Sequence, residues 1–212
     1  MSDTANLVKL GIDPVPFFEH DDSSIRRLAI ASCSAILDRP GIYEALEKRL
    51  AQDPTPRVRA EAAEMIGLSS RTSIKALLSA GDDSEPVVVE AVATALGELG
   101  DPEAVQWLID TALNHSDGLV REAAVASLGA IGDDRALPAL LELVSKAPPQ
   151  VRRRSVAALT VFDCPEVEVA IVAARNDRNP MVREAAEMVV GRAHGDISTL
   201  SRQQDDTLLA EE

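Results

Sequence analysis

The chain has 212 residues, with 35 Asp or Glu against 21 Lys or Arg, a formal net charge of −14. That balance opposes binding to a phosphate backbone, which needs a basic stripe. Only 2% of residues are aromatic, so there are few rings to stack on bases or flat ligands, and the 46% hydrophobic content falls mainly to Ala, Val, Leu and Ile, which suits close helix–helix packing.

In chain order, Thr4 to His20, with Pro14 and Pro16, reads as an irregular N-terminal cap, so residues 1–20 form a first segment. The opening MSDTANLVKL has no basic region followed by an apolar one, and a secretory signal is not expected. From Asp21 the chain repeats itself. Ile25-Arg26, Val58-Arg59, Val88-Val89, Val120-Arg121, Val151-Arg152 and Val182-Arg183 each open a helix rich in small residues, and successive openings lie 33, 30, 32, 31 and 31 residues apart. A fixed period of that length is the signature of a stacked solenoid.

The fourth unit shows the plan of the rest. Asp101-Pro102 supplies an N-cap and a proline at the first helical position, where its missing N–H is no loss. Val105, Leu108, Ile109 and Leu113 mark an apolar stripe at helical spacing, and Asn114 to Gly118 breaks that helix. Val120, Ala124 and Leu128 face the core of a second helix, which Gly129 and Gly132 are expected to end. First helices are expected near Ile42–Leu50, Ile74–Leu78, Leu137–Leu143 and Val167–Ala174. Second helices carry the triplets Val58, Ala62, Ile66; Val88, Val92, Leu96; Val151, Ser155, Leu159; and Val182, Ala186, Val190. Gly67, Gly97, Gly129 and Gly191 each follow the opening residue by nine.

The expected fold is all-α, a right-handed α-solenoid of about six helix pairs over residues 21–194. Residues 195–212 are polar and read as a flexible acidic tail, in which Leu208-Leu209 resembles a short docking motif. Cys33 and Cys164 lie four units apart, too far to pair where units touch only their neighbours. No apolar run approaches the roughly 20 residues that cross a bilayer. A reduced, cytoplasmic protein without membrane contact is expected.

The phrase Val-Arg-Glu-Ala-Ala at 120–124 and again at 182–186, with Leu-Gly-Ala-Ile-Gly-Asp at 128–133, resembles the HEAT family, and within it the phycobilisome-lyase-type HEAT-like repeats. The resemblance implies a ladder along the stack, formed by an Asp in the turn and an Arg six residues later. Asp53/Arg59 and Asp177/Arg183 match both positions; Asp83 is followed by Val89, whereas Arg26, Arg121 and Arg152 are preceded by His20, His115 and Lys146. A ladder broken in the middle is expected. Enzymatic relatives in this family hold iron through His-Glu dipeptides, but His20, His115 and His194 are followed by Asp, Ser and Gly. HEAT-like DNA glycosylases need a basic concave face with aromatics. This chain is acidic and its only Trp, Trp107, sits beside Leu108 within a first helix, where packing on the convex side is expected. Neither a cofactor nor a metal site is expected, and no nucleophile–His–acid set stands out.

What remains is a binding surface. The resemblance implies that second helices line the concave face, and positions two after each opening residue are expected to project there: Arg27, Ala60, Glu90, Glu122, Arg153 and Glu184, joined by Glu61 and Arg154. No Lys or Arg occurs between Lys75 and Arg121. The candidate partner-binding residues are therefore Glu90, Glu122, Arg153, Arg154, Glu61 and Glu184. The expected partner is a protein with a basic or mixed-charge segment, bound by a non-enzymatic scaffold or adaptor. The resemblance also carries an alternative, a bilin lyase-type subunit that handles a phycobiliprotein chromophore.

Overall fold

The computed structural model describes residues 10, 12–70 and 74–191, which are helical with no strand among them. They fall into two compact units divided between Ala136 and Leu137. Residues 192–212, with Leu208-Leu209, and most of the segment before Pro14 lie outside the described residues.

In the first unit, a short 3₁₀ turn at Val15–Glu19 leads into α1 (Ser23–Ala31). Three helix pairs follow: α2 (Ile42–Gln52) with α3 (Pro56–Gly67), α4 (Lys75–Ser79) with α5 (Pro86–Leu99), and α6 (Val105–Asn114) with α7 (Gly118–Ile131). The second helices α1, α3, α5 and α7 pack on one another in sequence, and α2, α4 and α6 cover them. The second unit holds α8 (Leu137–Lys146), α9 (Pro149–Leu159), α10 (Pro165–Ala174) and α11 (residues 180–191), with α10 packed on both α8 and α9.

Local chemistry explains the boundaries. Proline opens α3, α5, α9 and α10 at the first turn, where no N–H is needed. Elsewhere a carboxylate caps: Asp22 accepts from the Ser24 N–H, Asp101 from Glu103, and Asp117 from Leu119 and Val120. The core triplets of α3, α5, α7 and α9 are buried, including Ser155, whose hydroxyl donates to the Val151 carbonyl at 2.9 Å.

Of the glycines nine residues after the opening positions, Gly67 ends α3 as expected, but Gly97 and Gly129 do not end their helices. Gly97 lies inside α5 and Gly129 inside α7; the ends belong to Gly100 and Gly132, in the left-handed region at φ 68° and 67°. The earlier glycines serve approach. A Cβ on Gly67 would come within 2.7 Å of the Ala95 Cα, and one on Gly97 within 2.9 Å of the Ser127 Cα. The Ser127 hydroxyl donates across the same seam to the Ala93 carbonyl at 2.7 Å. Adjacent second helices thus meet nearly backbone to backbone. Trp107 packs as well: a Cβ on Gly81 would lie 2.6 Å from its indole Nε1.

Candidate partner-binding surface

The turn before each second helix sets how that helix stands on the next. Arg26 binds Asp53 through two bonds, Nε to Oδ2 at 2.8 Å and Nη2 to Oδ1 at 2.9 Å, while its Nη1 donates to the His20 and Asp21 carbonyls of its own turn. Arg59 repeats this with Asp83 at 2.7 and 2.8 Å, and Arg152 with Asp177 at 2.8 and 2.7 Å. Each of these Arg residues therefore pairs with the Asp of the following repeat and takes only backbone carbonyls from its own turn, that of Ala147 in the case of Arg152. Arg59 donates to the Asp53 carbonyl, and Arg183 to that of Asp177.

The carboxylate has a second task, accepting the N–H two residues on: Thr55 for Asp53, Glu85 for Asp83, Asn179 for Asp177. The Arg59 and Arg152 bonds hold Asp83 and Asp177 below the usual carboxylate range. Burial would raise Asp53, but Arg26 and the Thr55 N–H outweigh it and the net shift is downward. Where histidine replaces the Asp, the turn survives without the pair. His20 Nδ1 accepts from the Asp22 N–H and His115 Nδ1 from the Asp117 N–H, both at 3.0 Å. Val89 is buried in the Arg position of α5, and Arg121 turns its Nε to the Ala112 carbonyl at 2.8 Å. The break in the ladder is real, and histidine keeps the turn intact across it.

Held this way, α3, α5 and α7 present an acidic surface. Glu61, Glu90 and Glu122 are half-buried rather than fully projecting, and Ala60 is buried. The close seams explain the correction, because the neighbouring helix flanks the position two after the opening residue. Glu64, three residues beyond Glu61, is exposed and belongs with them. Burial raises the Glu61 carboxyl and Glu64 adds to it, with Arg27 opposing. Burial likewise raises Glu90, and Asp117, Glu64 and Glu122 add to the rise. These carboxylates thus feel one another across three repeats. Sequence reasoning missed Glu64, which the i, i+3 spacing from Glu61 would have found.

Arg153, Arg154 and Glu184 belong to the second unit. Arg153 is half-buried and Arg154 exposed on α9; Glu184 is exposed on α11. Both cysteines are free; burial pushes the Cys33 thiol up to about 11, and Cys164 stands half-exposed before α10. Among the described residues no group of three His, Cys, Asp or Glu is placed to hold a metal, and no helix is long and apolar enough to cross a membrane.

Helix pairs of this period, stacked through small residues and joined by Arg–Asp rungs, define an α-solenoid. The HEAT-repeat family model matches residues 43–113 and 74–160, and the chain belongs to that family. No curated protein matches it significantly. Among solved structures it is similar to YibA of Escherichia coli (TM-score 0.65, 17% identity, 97% of this chain and 80% of that one). It is similar also to the complex of CpcE and CpcF of phycocyanin lyase from a Nostoc species (TM-score 0.60, 20% identity, 69% and 96%). A third is a designed armadillo repeat protein in complex with the peptide (KR)4 (TM-score 0.56, 18% identity, 86% and 98%). At these identities the likeness is one of fold.

Proposed function

We propose that this protein is a scaffold or adaptor that binds a partner protein through the second-helix surface of α3, α5 and α7, and that the bound segment is basic. The observation that carries this reading is the set of mutually repelling carboxylates, Glu61, Glu64, Glu90 and Glu122, with no Lys or Arg in sequence between Lys75 and Arg121. A cationic segment laid along them relieves that repulsion, and a preformed helical surface loses little ordering entropy on association. The designed armadillo protein shows a related fold accepting a peptide of alternating Lys and Arg. On the second unit, Arg153 and Arg154 offer a contact for acidic residues of a mixed-charge partner. The work is cytoplasmic on this reading. A bilin-handling role has only the fold likeness to phycocyanin lyase behind it.

The test uses a fluorescein-labelled Lys-Arg octapeptide and the full chain. Binding should be measurable at low salt, weaken steeply as salt rises, and fall at least several-fold in Glu61→Gln/Glu90→Gln. No binding at low salt, or none of this dependence on the two glutamates, would remove the reading.

A further inference from the structure

A second surface lies in the second unit. Among the described residues eleven large apolar side chains are exposed, and five of them, Val161, Val169, Val172, Met181 and Met188, fall between 161 and 188. Scattered apolar residues need no explanation, but of these five Val172 borders an apolar groove. Helix α10 is apolar on two flanks. Val167, Ile171 and Ala174 are buried, while Val169 and Val172 stand 69% and 49% exposed. Between α10 and α11 runs a groove of about 640 Å³, floored by Phe162, Val167 and Ile171 and walled by Val172 and Val189.

We infer that this groove docks an amphipathic α-helix of a partner protein, with basic residues beside its apolar stripe. The shape follows from the chain's own practice: in the same unit the pair α8–α9 is covered by a helix, α10, packed on both members. Charge selects the occupant. Asp163 and Glu168 line the groove against Arg175 alone, and Glu166 and Glu187 are exposed nearby, so the rim is net acidic. Residues 192–212 of the chain itself hold five carboxylates and two arginines, the wrong sign for that rim. This docking surface is separate from the acidic surface of the first unit and stands whether or not that one binds.

The test uses two labelled 18-residue peptides of identical Leu and Lys composition, one with leucines at i, i+3, i+4 and i+7, the other with them spread around the helix. Equal charge cancels attraction to the acidic protein as a whole. The amphipathic peptide should bind the full chain at least about tenfold more tightly, and Val172→Asn/Val189→Asn, both in the groove wall, should abolish that advantage with helical content unchanged. Cys164 lines the groove and serves as reporter, since Cys33 is buried with a raised pKa. Maleimide labelling of Cys164 should slow several-fold when the amphipathic peptide is bound. Equal binding of both peptides, or an undiminished advantage in the variant, overturns the inference. Two further results would replace the occupant and overturn it as well. One is faster Cys164 labelling in Leu200→Ser/Leu208→Ser/Leu209→Ser, which assigns the groove to residues 192–212. The other is self-association abolished by Val172→Asn/Val189→Asn, which assigns it to a second copy.

Discussion

Arg59 holds Asp83 in a two-pronged bond, Nε to Oδ2 at 2.7 Å and Nη2 to Oδ1 at 2.8 Å, while its Nη1 donates to the Asp53 carbonyl of its own turn. One guanidinium thus fixes both the start of its own helix and the angle of the next repeat. The two side chains are 14% and 13% exposed, so solvent screens the pair only weakly. Asp83→Asn should cost about 2–3 kcal/mol, because it leaves a nearly buried guanidinium without its counter-charge. Urea titration checks this.

The same rungs set an acid limit. Asp83 and Asp177 are held below the ordinary 3.8 by their Arg bonds, and Asp53 is net lowered against its burial. A carboxyl with a depressed folded-state pKa stabilises fully above its unfolded value and loses that contribution as pH falls through the folded one. The stability gap between the wild type and Asp83→Asn should be flat above about pH 5 and close below 3.8. A gap that instead closes near neutral pH would assign the dependence to another group.

The missing rung can be installed. Val89 and His115 occupy the Arg and Asp positions between the third and fourth repeats. Val89→Arg alone buries an unpaired charge and should destabilise. His115→Asp alone keeps the turn acceptor and should cost less. Together they should recover about 1–3 kcal/mol relative to the sum of the singles, read from a double-mutant cycle. Strict additivity would mean that the two positions do not face each other as Arg59 and Asp83 do.

These outcomes bear on what a sequence of this kind discloses. The period, the helix pairs and the core triplets were legible because burial repeats with the helix, and Val58, Val88, Val120 and Val151 are each buried at the same register. The partner of each ladder Arg was not, since the motif places Asp53 six residues before Arg59 while the side chain reaches 24 residues on, to Asp83. Half-burial of Glu90 and Glu122 was also out of reach. It depends on the distance between neighbouring helices, which the residues Gly97 and Ser127 set together and neither sets alone.

Glycine substitutions separate closeness from helix propensity. In an open helical position Gly→Ala gains up to about 1 kcal/mol. Gly118, at the start of α7 with nothing near its absent Cβ, should show neutrality or a small gain. Gly97→Ala should instead cost about 1–3 kcal/mol, because its methyl meets the Ser127 backbone. Thermal unfolding of the two variants side by side decides it, and equal shifts would mean that the α5–α7 seam can open freely.

Side-chain deletions test the two faces of α7. Leu128 is fully buried and Leu119 is 60% exposed. Leu128→Ala should cost about 2–5 kcal/mol and Leu119→Ala no more than about 0.5 kcal/mol. Comparable losses would show that Leu119 is covered in solution.

The acidic surface should show opposite effects on stability and binding. Burial first, and neighbouring acids second, raise the Glu61 and Glu90 carboxyls above their ordinary 4.5. For an acid, a raised folded-state pKa means that ionisation weakens the fold: stability increases as pH falls through the folded value and decreases as pH rises through it. At neutral pH both groups are charged at a cost to the free protein, which a bound cationic segment reduces. Glu90→Gln removes the charge and keeps the shape. It should therefore stabilise the free protein by a few tenths of a kcal/mol, the discount for partial exposure included, while weakening capture of a Lys-Arg peptide, first in the on-rate and less at high salt. Peptide binding by the wild type should begin to fall while pH is still above 4.5, as the raised carboxyls take up protons. A variant that loses stability and affinity together would point to a structural role for Glu90. One that gains stability and still binds the peptide unchanged would place the contact away from α5.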